Sequence, residues 1–195
     1  MGDDALAELL RGASCGDQEA WRRLVGLYGR RVFALARSRC RNREVAEDIT
    51  QSVFATVAAK LGAGEYLEQG RFEAWLFRVA MNRVRDHVRQ VRRRPELAGG
   101  ETVEGLLARD EPGSAGGGSD IGTIQDLESL REALGKLSDA DREIIELRHH
   151  AGMSFKDMAE VLDEPLGTLL ARHHRALRKL REMMEPREVR GEVVG

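Results

Sequence analysis

Cysteine and long apolar runs are scarce in this sequence. Only two of its 195 residues are cysteine, Cys15 and Cys40, and their separation is not the C-x-x-C spacing of a metal or redox motif. We therefore expect no disulfide framework, and a reducing cytoplasm is the expected compartment. No apolar segment approaches the roughly eighteen residues that span a bilayer, so we expect no membrane insertion.

The sequence also lacks an excess of strand-forming residues and of charge of one sign. Aromatic residues make up 5% of the chain and runs of β-branched residues are few, whereas Ala, Leu, Arg and Glu are abundant. This composition favours helix over sheet, so we expect an all-α protein. The net charge of −2 gives by itself no indication of nucleic-acid binding.

Catalytic and metal-binding motifs are not recognisable. The sequence has no G-x-S-x-G, P-loop, H-E-x-x-H or paired-carboxylate pattern, so it predicts neither an enzyme nor a cofactor. The pairs His149-His150 and His173-His174 project their side chains about 100° apart on a helix, unlike the i, i+4 pair of a zinc helix. We therefore expect no metal site, and we interpret His173 as a packed or hydrogen-bonded core histidine.

Charge is strongly segregated along the chain. Residues 71–95 contain eight arginines and two acids, a net charge of +6, whereas residues 96–141 contain eleven acids and three cations, a net charge of −8. The near-neutral total conceals basic surfaces separated by an acidic stretch. The segment EPGSAGGGSD at 111–120 predicts a flexible acidic linker. One hypothesis is that this linker, or a partner protein, masks the basic surfaces.

Residues 137–182 predict a helix-turn-helix. Ser138 with Asp141, and Ser154 with Asp157, resemble capping boxes, which places a helix start at each serine. Pro165 suits the first turn of a third helix, after a break at residues 163–165. Helices joined by so short a turn cross steeply, as they do in DNA-binding domains.

The third helix has one apolar and one basic face. At about 100° per residue, its apolar arc contains Leu169, Leu170, Ala176, Leu177, Leu180 and Met184. From residue 168 to residue 181 there are five cations and no acid. Such a face matches a recognition helix, whose cations pair with phosphates or guanine edges; the alternative is a solvated face on an ordinary bundle helix. The candidate DNA-binding residues are Thr168, Arg172, His174, Arg175, Arg178 and Lys179.

A second basic helix is predicted over residues 72–93. Its polar face carries Arg78, Asn82, Arg85, Arg89 and Arg92 at steps of four and three, and we call these five residues the arginine stripe. A stripe this cationic can follow a phosphate backbone. Two nearby aromatic residues, Tyr66 and Trp75, are available for base stacking or for core packing.

These features divide the chain into two helical domains. We expect the first domain at residues 1–94, the linker at 95–125, the second domain at 126–187 and a tail at 188–195. In the first domain, a short helix from Asp3 is expected to end at Gly12, and a long helix after Asp17 is expected to bend near Gly26 and Gly29. The expected fold is two small helical bundles joined by a flexible linker.

Three segments resemble the extracytoplasmic-function sigma factors of bacterial RNA polymerase, which belong to the sigma-70 family. They are DITQSVF at 48–54, FEAWLFRVAMNRVRDHVR at 72–89 and GTLLARHHRALRKL at 167–180. The resemblance covers residues 13–94 and 126–185 in the family's order. It implies an initiation factor without chemistry of its own, whose first domain binds core polymerase and melts the −10 promoter element. The second domain would read the −35 element.

The resemblance also implies roles for particular residues. Those in the helix that binds the polymerase clamp are Asp48, Gln51 and Phe54, although Phe54 suits the core equally well. Those on the −10 helix are Arg78, Asn82, Arg85, Asp86, Arg89 and Arg92. The loop at 62–70 would capture an unstacked base. The implied partners are the clamp and flap of core polymerase and promoter DNA, and an anti-sigma factor is left open as a further partner.

Three sites depart from the family's pattern. The chain has Leu170 and Ala171 where Lys-Ser is common, His173 in place of an apolar residue, and Asp163 in place of Gly. The first change removes candidate contacts to phosphates or bases, and Asp163 tolerates a positive φ better than most residues do. An alternative function is a stand-alone helix-turn-helix regulator, which would bind duplex DNA as a dimer on paired half-sites. That alternative leaves the arginine stripe unexplained.

Overall fold

The computed structural model describes residues 3–40, 42–66, 70–93 and 124–184, and these residues form helices joined by turns, without a strand. The expected all-α class is confirmed. The eight helices of these segments are α1 (Asp3–Ser14), α2 (Gln18–Cys40), α3 (Arg43–Gly62), α4 (Phe72–Arg93), α5 (Ile124–Lys136), α6 (Asp139–His149), α7 (Phe155–Leu162) and α8 (Leu166–Met184). The predicted tail, and the predicted linker up to residue 123, lie outside the described residues.

Helices α1 to α4 pack together as the first domain. α2 packs on α1, α3 and α4, and the fully buried residues Leu24, Val32, Val53 and Phe77 fill the space between them. Burial of so much apolar surface contributes most of the stability of such short helices. It also explains why α2 runs unbroken through the two glycines at which we expected it to bend.

Helix α1 also differs from its prediction. It continues through Gly12 to Ser14, and the chain reverses at Gly16, which has a φ of 84°. A Cβ at Gly12 would lie 3.0 Å from the Cβ of Ala20. Gly12 therefore permits the close approach of α1 to α2 and does not end the helix. Glycine serves both purposes in proteins, and the sequence alone does not distinguish them.

Helices α5 to α8 form the second domain, with the predicted helix-turn-helix at α6, α7 and α8. Both predicted caps are present: the hydroxyl of Ser138 accepts a hydrogen bond from the Asp141 N–H, and that of Ser154 from the Asp157 N–H, each at 3.1 Å. Asp163 adopts the left-handed conformation, with a φ of 56°, at the end of α7. Pro165 directly precedes α8, so the turn forms as the sequence predicts.

The two domains lie against each other in this structure. α4 packs on α7, and α2 contacts α6. Because α4 carries the arginine stripe, this packing decides which of the predicted DNA-binding side chains face solvent. Within the described segments, no helix is long and apolar enough to cross a membrane.

Candidate nucleic-acid interface

The recognition helix α8 anchors itself through a narrow apolar face. Leu169, Ala176 and Leu180 are buried against α6, α7 and α5. Three other members of the predicted apolar arc are exposed: Leu170 at 45%, Leu177 at 42% and Met184 at 39%. The predicted apolar arc is therefore only partly buried, because the other helices of the domain cover Leu169, Ala176 and Leu180 and leave the rest of the arc open.

The basic face of α8 divides into exposed and internally paired residues. Four of the six predicted DNA-binding residues are exposed and have no hydrogen bond or ion pair to another helix within the described residues: Thr168, His174, Arg175 and Arg178. Arg178 lies 3.8 Å from Glu182 of its own helix, a solvent-exposed pair. These four side chains are accessible to DNA in this conformation.

The other two predicted residues brace the helix-turn-helix. The guanidinium of Arg172 donates to both carboxylate oxygens of Glu164, at 2.7 and 2.6 Å, and this hydrogen bonding raises the pKa of Arg172. The ammonium of Lys179 donates to Asp141 at 2.6 Å. A guanidinium group that donates to both oxygens of one carboxylate holds the two side chains in a single geometry. Arg172 therefore ties α8 to the turn before it, and Lys179 ties α8 to α6.

His173 is half-buried beside α6 and α7 and is not a fully enclosed core histidine. Its Nε2 atom lies 3.4 Å from Nε2 of His149, and the ring of Phe155 packs edge-on against it at 5.1 Å between centroids. Only adjacent histidines stand out in the sequence, whereas the fold brings together two that are 24 residues apart. The described residues contain no group of three or more His, Cys, Asp or Glu side chains placed to hold a metal ion.

The arginine stripe of α4 has two edges with different surroundings. Arg78, Arg85 and Arg92 follow one another at steps of seven and face the second domain; we call them the inner edge. Asn82 and Arg89, together with Asp86, form the outer edge and are exposed to solvent. On the outer edge Arg89 lies 3.7 Å from Asp86, and both side chains are about two thirds exposed.

Every inner-edge arginine contacts the helix-turn-helix domain. Arg85 donates to both carboxylate oxygens of Glu143 at 2.7 and 2.8 Å, and Arg92 donates to both of Asp139 at 2.9 and 3.1 Å. These hydrogen bonds raise the pKa of Arg85 and of Arg92. Arg78 donates to the backbone carbonyl of Glu160 in α7. Half of the predicted −10 surface is therefore occupied by the chain's own second domain.

A buried ion pair joins the domains beside this edge. Arg39 of α2 and Glu146 of α6 are 4% and 1% exposed, with 3.5 Å between Nε and Oε2. Burial raises the pKa of Glu146, an effect that Arg142 and Arg39 oppose. Arg142 donates to Glu146 at 2.6 Å and to the backbone carbonyl of Ser38. The opposite charges thus face each other across the interface, although Arg39 Nε and Glu146 Oε2 have no hydrogen-bond partner among the described residues.

The contact between α4 and α6 was not among the sequence-based predictions, although a signal for it exists. Asp139, Glu143 and Glu146 stand at steps of four and three on α6, so they form an acidic row that matches the step of the arginine stripe. We call them the acidic row. Two of its members, Glu143 and Asp139, pair with inner-edge arginines, whereas Glu146 pairs with Arg39 and Arg142.

Tyr66 and Trp75 lie in an aromatic cluster with Phe72. The Tyr66 and Trp75 rings are 4.6 Å apart between centroids, and the Phe72 and Trp75 rings are 5.8 Å apart. Both Tyr66 and Trp75 are partly buried against the core, which agrees with packing as the simpler interpretation. Residues 67–69, the remainder of the predicted base-capturing loop before Gly70, lie outside the described residues.

The predicted clamp-binding helix is α3. Asp48 and Gln51 are exposed on it, whereas Phe54 is only 7% exposed and packs edge-on against Trp21, with centroids 6.3 Å apart. Phe54 therefore serves the core, the second of its two predicted roles. Asp48 and Gln51 form part of an exposed polar face of α3.

Comparison with known proteins agrees with this architecture. Residues 24–94 match sigma-70 region 2, and residues 133–182 match sigma-70 region 4. The RNA polymerase sigma factor CnrH of Cupriavidus metallidurans is 32% identical over 188 residues, which cover 94% of this chain and 96% of CnrH. The ECF RNA polymerase sigma factor SigW of Bacillus subtilis is 26% identical over 183 residues, covering 87% and 91% of the two chains.

Two solved structures are also similar. CnrH in complex with the cytosolic domain of CnrY has a TM-score of 0.65 and 26% identity, and the match covers 90% of this chain and 94% of that one. The sigma factor RpoE in complex with the anti-sigma factor NepR, from Bartonella quintana, has a TM-score of 0.62 and 25% identity over 85% and 97%.

Two helical domains in this order, one with a basic helix and one with a helix-turn-helix, define a two-part promoter-binding factor. The chain belongs to the extracytoplasmic-function group of the sigma-70 family and is an RNA polymerase sigma factor for transcription initiation. Sigma factors bind RNA polymerase and promoter DNA. The stand-alone regulator is not favoured.

Proposed function

We propose that this sigma factor divides promoter recognition between α8, which reads the −35 element, and α4, which opens the −10 element. In this division neither helix performs chemistry, and the factor acts in the cytoplasm as a subunit of the polymerase. The observation that carries the proposal is the exposed cationic face of α8 directly after a helix-turn-helix turn.

On α8, Thr168, His174, Arg175 and Arg178 are the proposed direct contacts to the −35 element. Arg175 is the strongest candidate for a base contact, since it is exposed and has no ion pair among the described residues. A guanidinium pairs with the O6 and N7 atoms of guanine in the major groove. Arg172 and Lys179 would hold the helix at the angle that this contact needs.

On α4, the proposed contacts to −10 DNA are the whole arginine stripe and Asp86. The outer edge is available in the present conformation, and the inner edge becomes available only when the second domain moves away. Arginines along a helix neutralise successive phosphates and so hold a strand whose bases have been unstacked.

Two protein partners complete the proposal. Asp48 and Gln51 on α3 would contact the polymerase clamp, and the second domain would contact the flap. The solved structures of CnrH and RpoE were determined as complexes with CnrY and with the anti-sigma factor NepR. By this similarity we propose that an anti-sigma protein binds this chain as well.

Addition of the chain to sigma-free core polymerase tests the proposal. Promoter-dependent transcripts should appear together with permanganate-reactive thymines in the −10 region, and both should require core polymerase. The double variant Asn82→Ala/Arg89→Ala should lose permanganate reactivity while retaining upstream protection from nuclease. Tight binding of duplex DNA by the chain alone, without core-dependent opening, would contradict the proposal and favour the stand-alone regulator.

A further inference from the structure

The exposed large apolar side chains of the described residues are concentrated on one helix. Seven such side chains are exposed, and five of them lie on α8: Leu166, Leu170, Leu177, Met183 and Met184. A single exposed leucine is ordinary on a protein surface, but five on the helix that also carries the basic face are not randomly distributed. This concentration indicates that α8 uses apolar atoms as well as cations in its contacts.

One of these side chains lies where a recognition helix contacts bases. Leu170 stands in the first half of α8 and is 45% exposed, and Ala171 after it is exposed as well. At about 100° per residue, Ala171 lies opposite the buried face that contains Leu169, and Leu170 lies on the same side of the helix as His174. Leu170 and Ala171 therefore form an apolar pair on the outward surface of the first half of α8.

The surroundings of this apolar pair are cationic. From residue 166 to residue 181, α8 contains no acid. His174 and Arg175 are exposed one turn further along the helix, and the nearby carboxylate of Glu164 is already paired with Arg172. The surface thus combines apolar contact with attraction to a polyanion, and the major groove of duplex DNA offers both.

The chemistry of the pair limits what it can recognise on DNA. Neither an alanine nor a leucine side chain donates or accepts a hydrogen bond, so neither can pair with the polar atoms of a base edge. The apolar group that base edges present in the major groove is the C5-methyl group of thymine. Contact with this methyl removes apolar surface from water on both sides, whereas contact with a G·C edge would leave polar atoms without partners.

We propose that Leu170, with Ala171 beside it, contacts thymine methyl groups in the −35 element, so that at least one A·T pair belongs to the sequence that this sigma factor prefers. The inference rests on the proposed function of α8 as the −35 helix. It assigns an apolar base contact to the two positions at which the chain lacks the common Lys-Ser.

The experiment compares thymine with uracil, which lacks only the C5-methyl group. Holoenzyme assembled from core polymerase and the full chain first selects promoter duplexes from a pool that is randomised in the upstream region. One selected duplex is then synthesised twice, with thymine or with uracil throughout its −35 element. Competition binding gives the ratio of the two affinities.

The ratio is measured for wild type and for two leucine variants. Leu170→Ala removes the proposed contact. Leu177→Ala is the matched control, because it removes the same side chain from a similarly exposed position, at 42%, about 10.5 Å further along α8. Circular dichroism verifies that both variants retain their helices.

Wild-type holoenzyme should bind the thymine duplex about fourfold more tightly for each methyl group that the contact buries. The ratio should fall towards one in Leu170→Ala and should keep its wild-type value in Leu177→Ala. Leu170→Met, which retains an apolar side chain of similar volume, should restore most of it. A ratio of one in wild type, or an unchanged ratio in Leu170→Ala, would overturn the inference, as would a selected −35 element made of G·C pairs alone.

The same measurements distinguish this inference from the proposed function. If wild-type holoenzyme protects no upstream element in any selected duplex, the assignment of α8 to −35 DNA fails and the inference falls with it. If the element is protected but its methyl groups do not affect affinity, only the inference fails. Equal loss of core-polymerase binding in both leucine variants, with an unchanged thymine-to-uracil ratio, would overturn it as well and would assign the exposed leucines to a protein contact.

Discussion

At the scale of single residues, the six polar side chains of α8 that the sequence predicts to bind DNA fall into two groups in the structure. Arg172 and Lys179 are engaged by Glu164 and Asp141 within the domain, whereas Arg175 has no such pair among the described residues. A side chain held by a structural partner must give up that partner before it contacts DNA. Variants at these positions should therefore separate into losses of stability and losses of DNA affinity.

Arg175→Ala should weaken binding of the holoenzyme to −35 DNA by about 1–3 kcal/mol if its guanidinium contacts a guanine, and it should relax sequence preference at one position. Competition binding with a set of single-base variants of the −35 element measures both effects. Arg181→Ala is the matched control, because it removes an equal charge from an exposed position of the same helix that is not among the six predicted DNA-binding residues. Equal affinity of the Arg175 variant and wild type would contradict the assignment.

Arg172→Ala should instead destabilise the second domain, by about 1–2 kcal/mol, since it leaves the half-buried carboxylate of Glu164 without its partner. Urea unfolding followed by circular dichroism measures the change. Arg175→Ala serves here as the comparison and should leave the unfolding midpoint near that of wild type. A midpoint for Arg172→Ala that coincides with wild type would show that the pair with Glu164 does not brace the turn.

At the scale of helices, prediction succeeded where the determinants are local. The two serine caps, the proline before α8 and the apolar period of α4 all act within a few residues, so the predicted helix at 72–93 and the turn at Asp163 appear as expected. The predicted end of α1 was wrong because Gly12 is required by the close packing of α1 against Ala20 of α2, which a local pattern does not show. The exposure of Leu170 and Leu177 was also unpredictable locally, since it depends on how much of α8 its neighbours cover.

The Ser154 cap supports a prediction for α7. Ser154→Ala should lower the free energy of unfolding by about 0.5–2 kcal/mol, because the Asp157 N–H loses its acceptor at the start of an eight-residue helix. Ser129→Ala, at an exposed position within α5, should be neutral or slightly stabilising, because alanine is the better helix former. Chemical unfolding of both variants measures the two free energies of unfolding. Equal stability of the two would indicate that another group caps α7.

The contact between α6 and α8 should depend on pH. Burial, followed by nearby positive groups such as Arg148, lowers the pKa of both His149 and His173 below the usual 6.5. The unfolded chain therefore binds protons at a higher pH than the folded chain does, and the free energy of unfolding should fall as pH drops below about 6.5. Urea unfolding between pH 7.5 and about 5 should show a shallower fall for His149→Gln/His173→Gln. A parallel pH dependence in the two proteins would contradict this prediction.

At the scale of the whole molecule, the net charge of −2 conceals a basic segment at 71–95 and an acidic segment at 96–141. An ion pair between Arg92 and Asp139 joins these two segments in the structure. Arg85 and Glu143 are 58 residues apart in sequence, so their pairing could not be read from local patterns, even though both charged rows are visible. The family and the two-domain plan could be predicted from ordered motifs. The packing of the two domains determines which edge of α4 is covered. That packing is visible only in the three-dimensional structure.

The paired charges predict a shape that responds to salt. Raising the NaCl concentration from about 0.05 to 0.5 M should expand the wild-type chain, since screening weakens the partly exposed pairs Arg85–Glu143 and Arg92–Asp139. Small-angle scattering measures the expansion, and the variant Asp139→Asn/Glu143→Gln, which lacks both ion pairs, should change less. A wild-type radius of gyration that is constant over this range would show that contacts other than these ion pairs hold the domains together.

The inner-edge arginines, seven residues apart on α4, contact the second domain and are also proposed to bind DNA. If α4 binds −10 DNA as proposed, a change at Arg78, Arg85 or Arg92 should weaken both the binding of promoter DNA and the contact with the second domain, and these two effects on transcription should oppose each other. A change at Asn82 or Arg89 should affect DNA binding alone, since neither side chain has a hydrogen bond or ion pair with the second domain among the described residues. Tolerance to substitution along α4 should therefore alternate between the two edges, and a weakened inner-edge arginine can be offset by loss of its carboxylate on α6.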